Sequence, residues 1–541
     1  MKHLMTVGLL VAVAACGGRA PAVGPIAPPT TALPEGPTPT ASAQAVNAPD
    51  DFRRKAPKPG DALQIDLPEP EVFTLKNGTK VYLIERHDLP IVSVRLVSRH
   101  DGVKWDCPKV EYDPQRKVQR ASICVERLTP GARSFAAAML EQGTKTYNAL
   151  QLSDAFESIG AQHGAWADWD SMGAFIKVTR DQLDKGLDLL AEVALHPTFP
   201  KAEFDRLRTR RLAGVRAEKD SLPAMGSNAV AHSVFRNNYR HSYGHSLGGS
   251  PAEVEALGIN DLRDAYRAAI VQGEVAFLVA GDIRRQELHP MLEQRFSKLP
   301  RREPVGGPDV LGGLSLRLRT PAVSKAVIVD KSGATQSYVA FALLGPSAHT
   351  HDRDVLALMN VILGGSFSSR VNMNLREKHA YTYGARSRFA MRQRSGLFTI
   401  GGNIFADKTG AAIQEILTEF DKIQEEPVTE DELRDARESI LLALPGRMES
   451  VMELGSMAAD LFIYGYKADE LRTLPERLAK VTIADVQRVA KAHLAKEDLY
   501  IVVVGDKAKV LPQLEPVEHH GNRLHVTELD PWGEPLKGTV K

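Results

Sequence analysis

Apolar and polar residues alternate over short runs near the start of the folded region. The runs at 72–75 and 80–85 flank Asn77-Gly78, a dipeptide that indicates a hairpin. A further apolar run follows at 91–98. These patterns predict three consecutive strands, with the first two joined as a hairpin.

Two runs, GEVAFLVAGDI and EDLYIVVVGDK, are mostly apolar, and each contains a Gly-Asp pair, at 281–282 and at 505–506. Continuous runs rich in Val and Leu and bounded by Gly are typical of strands that are buried on both faces. A similar spacing separates the segment that opens one charged helix near Phe199 from the segment that opens another near Val428. The repeated order indicates that the chain contains two copies of one domain.

Each copy has the order strands, helix, further strands, long helices and a final strand. This order predicts an α+β fold rather than strict βαβ alternation. We therefore expect two homologous domains, 69–303 and 327–515, each a mostly antiparallel sheet packed with helices. A loop-like linker, 304–326, joins them, and a polar C-terminal tail, 516–541, follows.

Composition narrows the class of partner. Hydrophobic residues make up 43% of the chain, which is enough to build packed cores and excludes disorder of the whole. Lys plus Arg number 68 against 67 for Asp plus Glu, and no basic stripe with interleaved aromatic residues is present in the sequence. We therefore expect no nucleic acid partner.

The first residues have the pattern of an export signal, with a basic start, an apolar stretch and then small residues. The stretch is too short to span a bilayer, and Val-Ala-Ala before Cys16 resembles the bacterial lipobox. We predict a lipoprotein signal peptide at 1–16, lipidation of Cys16, and a Pro-, Ala- and Thr-rich tether at 17–68. The protein is then exported and anchored at the periplasmic face of the outer membrane. An ordinary signal peptide with an incidental Cys16 is the alternative.

The other two cysteines of the chain are Cys107 and Cys124. An exported protein with one such pair is a candidate for a disulfide, because exposed thiols oxidise in the periplasm. Two free thiols are the alternative interpretation.

Four segments closely resemble the pitrilysin and insulinase family of zinc peptidases, also called inverzincins. They are VFTLKNGTKVYLIERHDLPIVSVRLV, EQGTKTYNALQLSDAFESIGA, HSYGHSLGG and LGGSFSSRVNMNLREKHAYTYG. The resemblance runs from about residue 68 to near the end of the chain and implies a processing-peptidase-like fold of two related domains. An insertion at about 99–131 departs from the family pattern and suggests a lid or a partner contact.

The resemblance implies that the zinc site is missing. Active members carry His-x-x-Glu-His on a helix before the Gly-Thr found here at 143–144, where the two His bind zinc and the Glu acts as general base. This chain has Ser134, Ala137 and Ala138 at those three positions, and Val215 where the family places its third ligand, a Glu. We expect no metal on this chain, no peptide cleavage by it alone, and zinc on a partner subunit.

Other histidines are weak candidates for a metal site. His241 and His245 match a turn of the family, where structural hydrogen bonding is the favoured interpretation. A polar group near the C-terminus consists of Glu518, His519, His520 and His525. We predict no metal there, because loop histidines are more often solvated than ligating.

The second copy keeps a different family feature. Active members place an Arg in a Leu-Arg-x-Lys context and a Tyr seven residues later, where they hold the substrate backbone and assist the oxyanion; Arg376 and Tyr383 match that spacing. A guanidinium and a phenol can both donate to a carbonyl oxygen that gains negative charge. Tyr381 is an alternative to Tyr383. A surface ion pair for Arg376 and core packing for Tyr383 are the competing interpretations.

Two functions remain open. The chain is either a non-catalytic subunit that supplies Arg376, Tyr383 and half of a chamber to a homologous zinc-bearing partner with His-x-x-Glu-His, or a scaffold of the same fold with no role in proteolysis. In the first case the assembly is a heterodimer or larger, and it degrades or processes unfolded peptides outside the cytoplasm.

Overall fold

A computed structural model describes residues 67–99, 105–106, 111–113, 118–120, 125–126, 129–236, 242–299, 325–519 and 521–536. The predictions for Cys16, for the signal peptide and nearly all of the tether, and for the pair Cys107 and Cys124 lie outside these residues, as does most of the predicted linker. None of the helices within the described ranges combines the length and apolarity needed to cross a bilayer.

The first half contributes one six-stranded sheet. Its strands are β1 (Glu71–Thr74), β2 (Lys80–Glu85), β3 (Ile91–Arg99), β4 (Gln162–Ala167), β5 (Ser171–Thr179) and β6 (Glu274–Gly281). They lie in the order β1-β2-β6-β3-β5-β4, and every neighbouring pair is antiparallel except β2 with β6. The predicted hairpin is present, with Thr74 opposite Lys80 and Gly78 in the turn at φ 88°.

The second half repeats this sheet. Its strands are β7 (Lys325–Asp330), β8 (Gln336–Gly345), β9 (Arg386–Ala390), β10 (Gly396–Phe405), β11 (Tyr500–Gly505) and β12 (His525–Leu529). The order is β9-β10-β8-β11-β7-β12, in which β7 is parallel to both β11 and β12. The α+β fold with two mostly antiparallel sheets is therefore confirmed.

The helices cover these sheets. In the first half they are α1 (Ala132–Met139), α2 (Ala149–Ser158), α3 (Leu183–Leu195), α4 (Lys201–Ala217), α5 (Leu222–Ala231), α6 (Pro251–Ala256), α7 (Ile259–Tyr266) and α8 (Arg285–Phe296). In the second half they are α9 (Arg353–Asn360), α10 (Arg370–Asn372), α11 (Thr409–Glu425), α12 (Glu430–Leu442), α13 (Leu444–Met448), α14 (Val451–Tyr464), α15 (Leu474–Ala479), α16 (Ile483–His493) and α17 (Lys507–Leu514). Several helices open with capping boxes, such as Thr429 with Glu432 at α12, which satisfy backbone donors that the first turn leaves free.

Each half also covers one sheet face of the other half. Helix α5 packs on the second sheet, where Met225 and Ala229 share a buried cluster with Val502 and other strand residues. Helix α14 packs in the same way on the first sheet, where Phe462 and Leu278 belong to one cluster. Both sheets are therefore buried on two faces, which explains why β6 is apolar after Glu274 and why β11 is fully buried.

Two segments differ from their simplest sequence interpretation. Residues of the predicted C-terminal tail form β12, because an edge strand there satisfies the free backbone groups of β7. Inside the predicted insertion, Trp105–Asp106 pairs with Val125–Glu126, and Glu111–Asp113 pairs with Val118–Arg120.

Candidate functional site

The three positions of the missing metal motif lie on α1. This helix follows Gly131, which has a φ of 81°, a left-handed conformation that glycine adopts readily. The helix buries Phe135 and Met139 in the core of the first half. Ser134 and Ala138 are four residues apart and so share one face of the helix. Ser134 is half-buried, Ala137 is buried and Ala138 is exposed.

A guanidinium from α4 reaches this face. Arg211 donates from Nη2 to the Ser134 hydroxyl oxygen and to the Leu247 carbonyl (3.3 Å), and from Nε to the Gly248 carbonyl (3.1 Å). A longer contact of 3.5 Å joins Nη2 to the Gly131 carbonyl. The guanidinium carbon also lies 5.2 Å from the centroid of the Phe135 ring. One side chain thereby joins α1, α4 and the 247–248 segment.

Burial lowers the pKa of Arg211 to about 10, while the negative charge of Glu218 opposes that shift. The group therefore carries its positive charge at neutral pH. Val215, at the position of the third ligand, lies one turn further along α4 and is buried. A cation from the chain itself is thus adjacent to both helices that carry metal ligands in active members.

The C-terminal turn closes over the end of α4. Trp532 donates from Nε1 to the Val215 carbonyl (3.2 Å), and Asn228 donates from Nδ2 to the Pro531 carbonyl (3.2 Å). The turn is held by Asp530, whose Oδ1 accepts from the backbone N–H groups of Trp532 (2.9 Å) and Glu534 (2.8 Å). The face that carries Val215 is therefore covered by protein.

These residues do not fit a zinc ion. Ser134, Ala137, Ala138 and Val215 offer one hydroxyl and three apolar side chains, whereas zinc takes imidazole, thiolate or carboxylate ligands. Within the described ranges, no group of three or more His, Cys, Asp and Glu side chains is arranged to hold a metal. A neighbouring charged guanidinium opposes a divalent cation further.

Among the other histidine candidates, His245 has a structural contact. His245 lies 2.9 Å from Glu253, which also accepts from the Ser250 N–H in the capping box of α6. Burial raises the pKa of Glu253, but the contacts with His245 and Ser250 outweigh it and leave this pKa below its usual value. His519 is buried and His525 is exposed, and His241 and His520 lie outside the described residues.

Arg376 and Tyr383 lie in the second half, on the segment that follows α10. That segment continues as a wider helical turn over Met373–Lys378. The Arg376 side chain is 41% exposed, contacts Glu377 at 3.3 Å and lies 4.7 Å from the centroid of the exposed Phe367 ring. It therefore has a surface acid as a neighbour, as one competing interpretation proposed, but it also remains accessible.

The two tyrosines differ in environment. Tyr383 is 79% exposed and meets Phe405 edge-on at a centroid distance of 5.8 Å. Tyr381 packs against the second core and stacks with His379 at 5.0 Å. Core packing thus describes Tyr381 rather than Tyr383. The described structure contains no hydrogen bond between Arg376 and Tyr383, so each is free to reach a separate acceptor.

Sequence reasoning missed Arg211, Phe367 and Met373. Arg211 could have been found, because it lies four residues before Val215 and so shares its helix face. Phe367 and Met373 are large apolar side chains that remain exposed beside Arg376 or one turn before it. Their exposure depends on the irregular helical path from 361 to 378, which a regular period does not predict.

Comparisons with known proteins identify related chains. A family model described as "Insulinase (Peptidase family M16)" matches residues 126–249, and one described as "Peptidase M16 inactive domain" matches residues 256–440. Together they cover more than half of the chain.

Two curated relatives and one solved structure extend this match. A protein named "Non-peptidase homolog YmxG" from Helicobacter pylori is 20% identical over 70% of this chain and 85% of its own length. An "Uncharacterized zinc protease YmxG" from Bacillus subtilis is 23% identical over 59% and 75%. The crystal structure of a "peptidase M16 inactive domain" from Pseudomonas fluorescens superimposes with a TM-score of 0.67 at 23% identity, over 81% of this chain and 98% of that chain.

Proposed function

The chain belongs to the insulinase, or M16, peptidase family as a member of the inactive type, and we propose that it is the non-catalytic subunit of a two-chain zinc peptidase. A homologous partner with His-x-x-Glu-His supplies the zinc. This chain supplies Arg376, Tyr383 and half of the chamber. The substrates are unfolded peptides outside the cytoplasm, where a lipid on Cys16 anchors the complex to the membrane.

The observation that carries this proposal is the exposure of Arg376 and Tyr383. Both side chains end in hydrogen-bond donors and neither is committed to the core. Donors aimed at a carbonyl oxygen stabilise the negative charge that develops there during peptide hydrolysis, and they require no metal on their own chain. A partner can therefore bring the metal while this chain brings the donors.

The motif helix supports the same division. Its metal positions hold Ser134, Ala137 and Ala138, and Arg211 contacts that face. A chain with this arrangement needs a second subunit for hydrolysis, because zinc generates the attacking water and polarises the scissile carbonyl.

Co-expression with a homologous subunit that carries His-x-x-Glu-His tests the proposal. The purified complex is assayed on an unstructured fluorogenic peptide. We expect Arg376→Ala and Tyr383→Phe each to lower kcat/KM by about 100-fold, the effect of losing one oxyanion donor. Arg434→Ala is a matched control, because the Arg434 side chain is also 42% exposed but lies on α12, where it pairs with Asp431 and Asp435.

Two results would contradict the proposal. Full activity in both variants would leave the scaffold function as the better account of the chain. One zinc per chain in metal analysis of the isolated protein would place a metal on this subunit itself. A loss in Tyr381→Phe instead of Tyr383→Phe would move the donor role to Tyr381.

A further inference from the structure

The side chains at the family's metal positions do not fit zinc, but a charged side chain, Arg211, lies beside them. Four oxygen atoms from two chain segments converge on the Arg211 guanidinium of α4: the Gly131 carbonyl and the Ser134 hydroxyl from one, and the Leu247 and Gly248 carbonyls from the other. We propose that Arg211 replaces the metal ion as the positive centre that holds α1, α4 and the 247–248 segment together. This inference does not depend on the proposed partner.

The acceptors indicate that Arg211 acts as a cation and not as half of an ion pair. Among the described residues, none of its hydrogen bonds goes to a carboxylate. Carbonyl and hydroxyl oxygens compensate its charge by direct contact, and the Glu218 carboxylate adds an attraction without a hydrogen bond. The planar guanidinium can donate to several of them at once, which a lysine ammonium on the same helix could do less well.

The location supports the same role. Ser134 is the first motif position on α1, and Val215, the third ligand position, lies one turn after Arg211 on α4. In active members zinc connects these two helices through side-chain ligands. Here the guanidinium connects the same two helices directly, so the joint keeps a positive charge without a metal.

The surrounding backbone leaves little freedom for the acceptors. A Cβ on Gly131 would lie 2.9 Å from the Gly248 carbonyl oxygen, so α1 begins in close contact with this segment. Ser134 also bonds to the Leu247 carbonyl. The Gly131 and Leu247 carbonyls keep other donors, the Phe135 N–H (3.0 Å) and the Ser134 hydroxyl, whereas the Gly248 carbonyl would lose the donor that Arg211 supplies.

A stability experiment on the full chain tests the role of the charge. Arg211→Met removes the charge and keeps most of the stem, whereas Arg211→Ala leaves a space lined by the oxygens. We expect both to lower the melting temperature by about 5 °C and to weaken hydrogen-exchange protection in α1 and at 246–250. Millimolar ethylguanidinium should restore part of the loss in Arg211→Ala only. The control is Arg210→Ala, an exposed neighbour on α4.

An unchanged melting temperature and unchanged exchange in both Arg211 variants would overturn the proposal. If the melting temperature falls but ethylguanidinium restores nothing, the side chain packs and does not act as a cation, which also overturns it.

A metal-binding experiment tests the replacement itself. The motif is restored by Ser134→His, Ala137→Glu, Ala138→His and Val215→Glu, once with Arg211 retained and once with Arg211→Ala. We expect zinc to bind at least about tenfold more tightly when Arg211 is absent, because two cations compete for one place. Equal affinity in the two proteins, or no binding by either, would contradict the replacement.

Discussion

The two halves share one sheet topology, but their candidate site residues differ in exposure to solvent. In the first half, Arg211 bonds to Ser134 and the turn that carries Trp532 covers Val215, and this closed site leaves only Ala138 of the four metal positions exposed. In the second half, Arg376 and Tyr383 remain open to solvent. The same sheet order therefore carries a largely buried set of site positions in one half and an exposed set in the other.

The sheet edges differ as well. The first sheet is completed by β1, which is antiparallel to β2 and adjacent to it in sequence. The second is completed by β12, which is parallel to β7 and comes from the far end of the chain. Because β12 leads directly into the turn at Trp532, the strand that completes the second sheet also brings the cover for the first half's closed site.

The largest effect is expected where one half covers the other. Phe462→Ala removes a buried ring that α14 inserts on the first sheet, and we expect a loss of about 3–5 kcal/mol in the free energy of unfolding. Met225→Ala, its counterpart on α5, should lose about 2–5 kcal/mol. Urea unfolding followed by two probes measures both. Separate unfolding transitions for the two halves would contradict the claim that each half is stabilised by a helix of the other. Leu344→Ala, at an exposed side chain, is the control.

The same substitution should have unequal effects at the two arginines. Arg211→Met should lower the free energy of unfolding by about 3 kcal/mol, because it removes several hydrogen bonds from a charged donor and leaves the Gly248 carbonyl without its donor. Arg376→Met should change it by less than about 0.5 kcal/mol, because this side chain is exposed and its pair with Glu377 is on the surface. Equal losses in denaturant titrations would remove the distinction between a closed and an open half.

Removing the hydrogen bond between the C-terminal turn and α4 should have a smaller effect on the free energy of unfolding. Trp532→Phe keeps an aromatic ring but removes the Nε1–H group that donates to the Val215 carbonyl. We expect a loss of about 1 kcal/mol, together with faster amide exchange at the end of α4. Tyr383→Phe removes a polar group from the open half and should leave both measurements unchanged. Exchange at α4 that stays the same in Trp532→Phe would show that the turn does not seal this face.

The smallest expected effect concerns the pKa values at the two repeated Gly-Asp pairs, which end in Asp282 and Asp506. A hydrogen bond to Asp282 raises the pKa of His87 above 6.5, and the same contact, with Arg180 adding to it, holds the pKa of Asp282 below 3.8. In the second half, burial raises the pKa of Asp506, but the Gly333 N–H and Lys509 outweigh it and hold this pKa below its usual value. Only the first pair is thus linked to a group that titrates near neutral pH.

The sign of the linkage follows from both partners. The contribution of His87 is complete below pH 6.5 and is lost as pH rises through its folded pKa, whereas that of Asp282 is complete above pH 3.8 and is lost as pH falls through its own. The pair is strongest between these limits. In NMR titration, Asp282→Asn should lower the pKa of His87, and Asp506→Asn should leave it unchanged. A fall in Asp506→Asn would contradict this assignment.

Local sequence patterns predicted many of the strands in the two sheets. The Asn77-Gly78 hairpin, the strand from Ile91 and the two strands that end at Gly281 and Gly505 are all present. These elements could be predicted because their signals are short-range: turn residues, apolar runs and a repeated order. The parallel contact between β2 and β6 could not, since it joins residues that are distant in sequence.

The candidate site was predictable only in part. Motif spacing located Ser134, Val215 and Arg376 on the helical segments where they lie, but it could not distinguish an exposed Tyr383 from a packed Tyr381. That difference depends on the backbone turn around Ala380, which has a φ of 53°. The contact between Trp532 and Val215 of α4 joins residues 317 apart in the sequence, so no local signal contains it.

The reciprocal helices also set the order in which the protein can mature. The first sheet is complete in sequence at Gly281, yet the helix that covers its second face begins only at Val451. During synthesis, an apolar surface of the first half stays uncovered until this later segment has been made. Such exposed surfaces are prone to aggregation and are bound by chaperones. The two halves therefore cannot complete their packing one after the other, because each needs a helix that the ribosome makes with the other half.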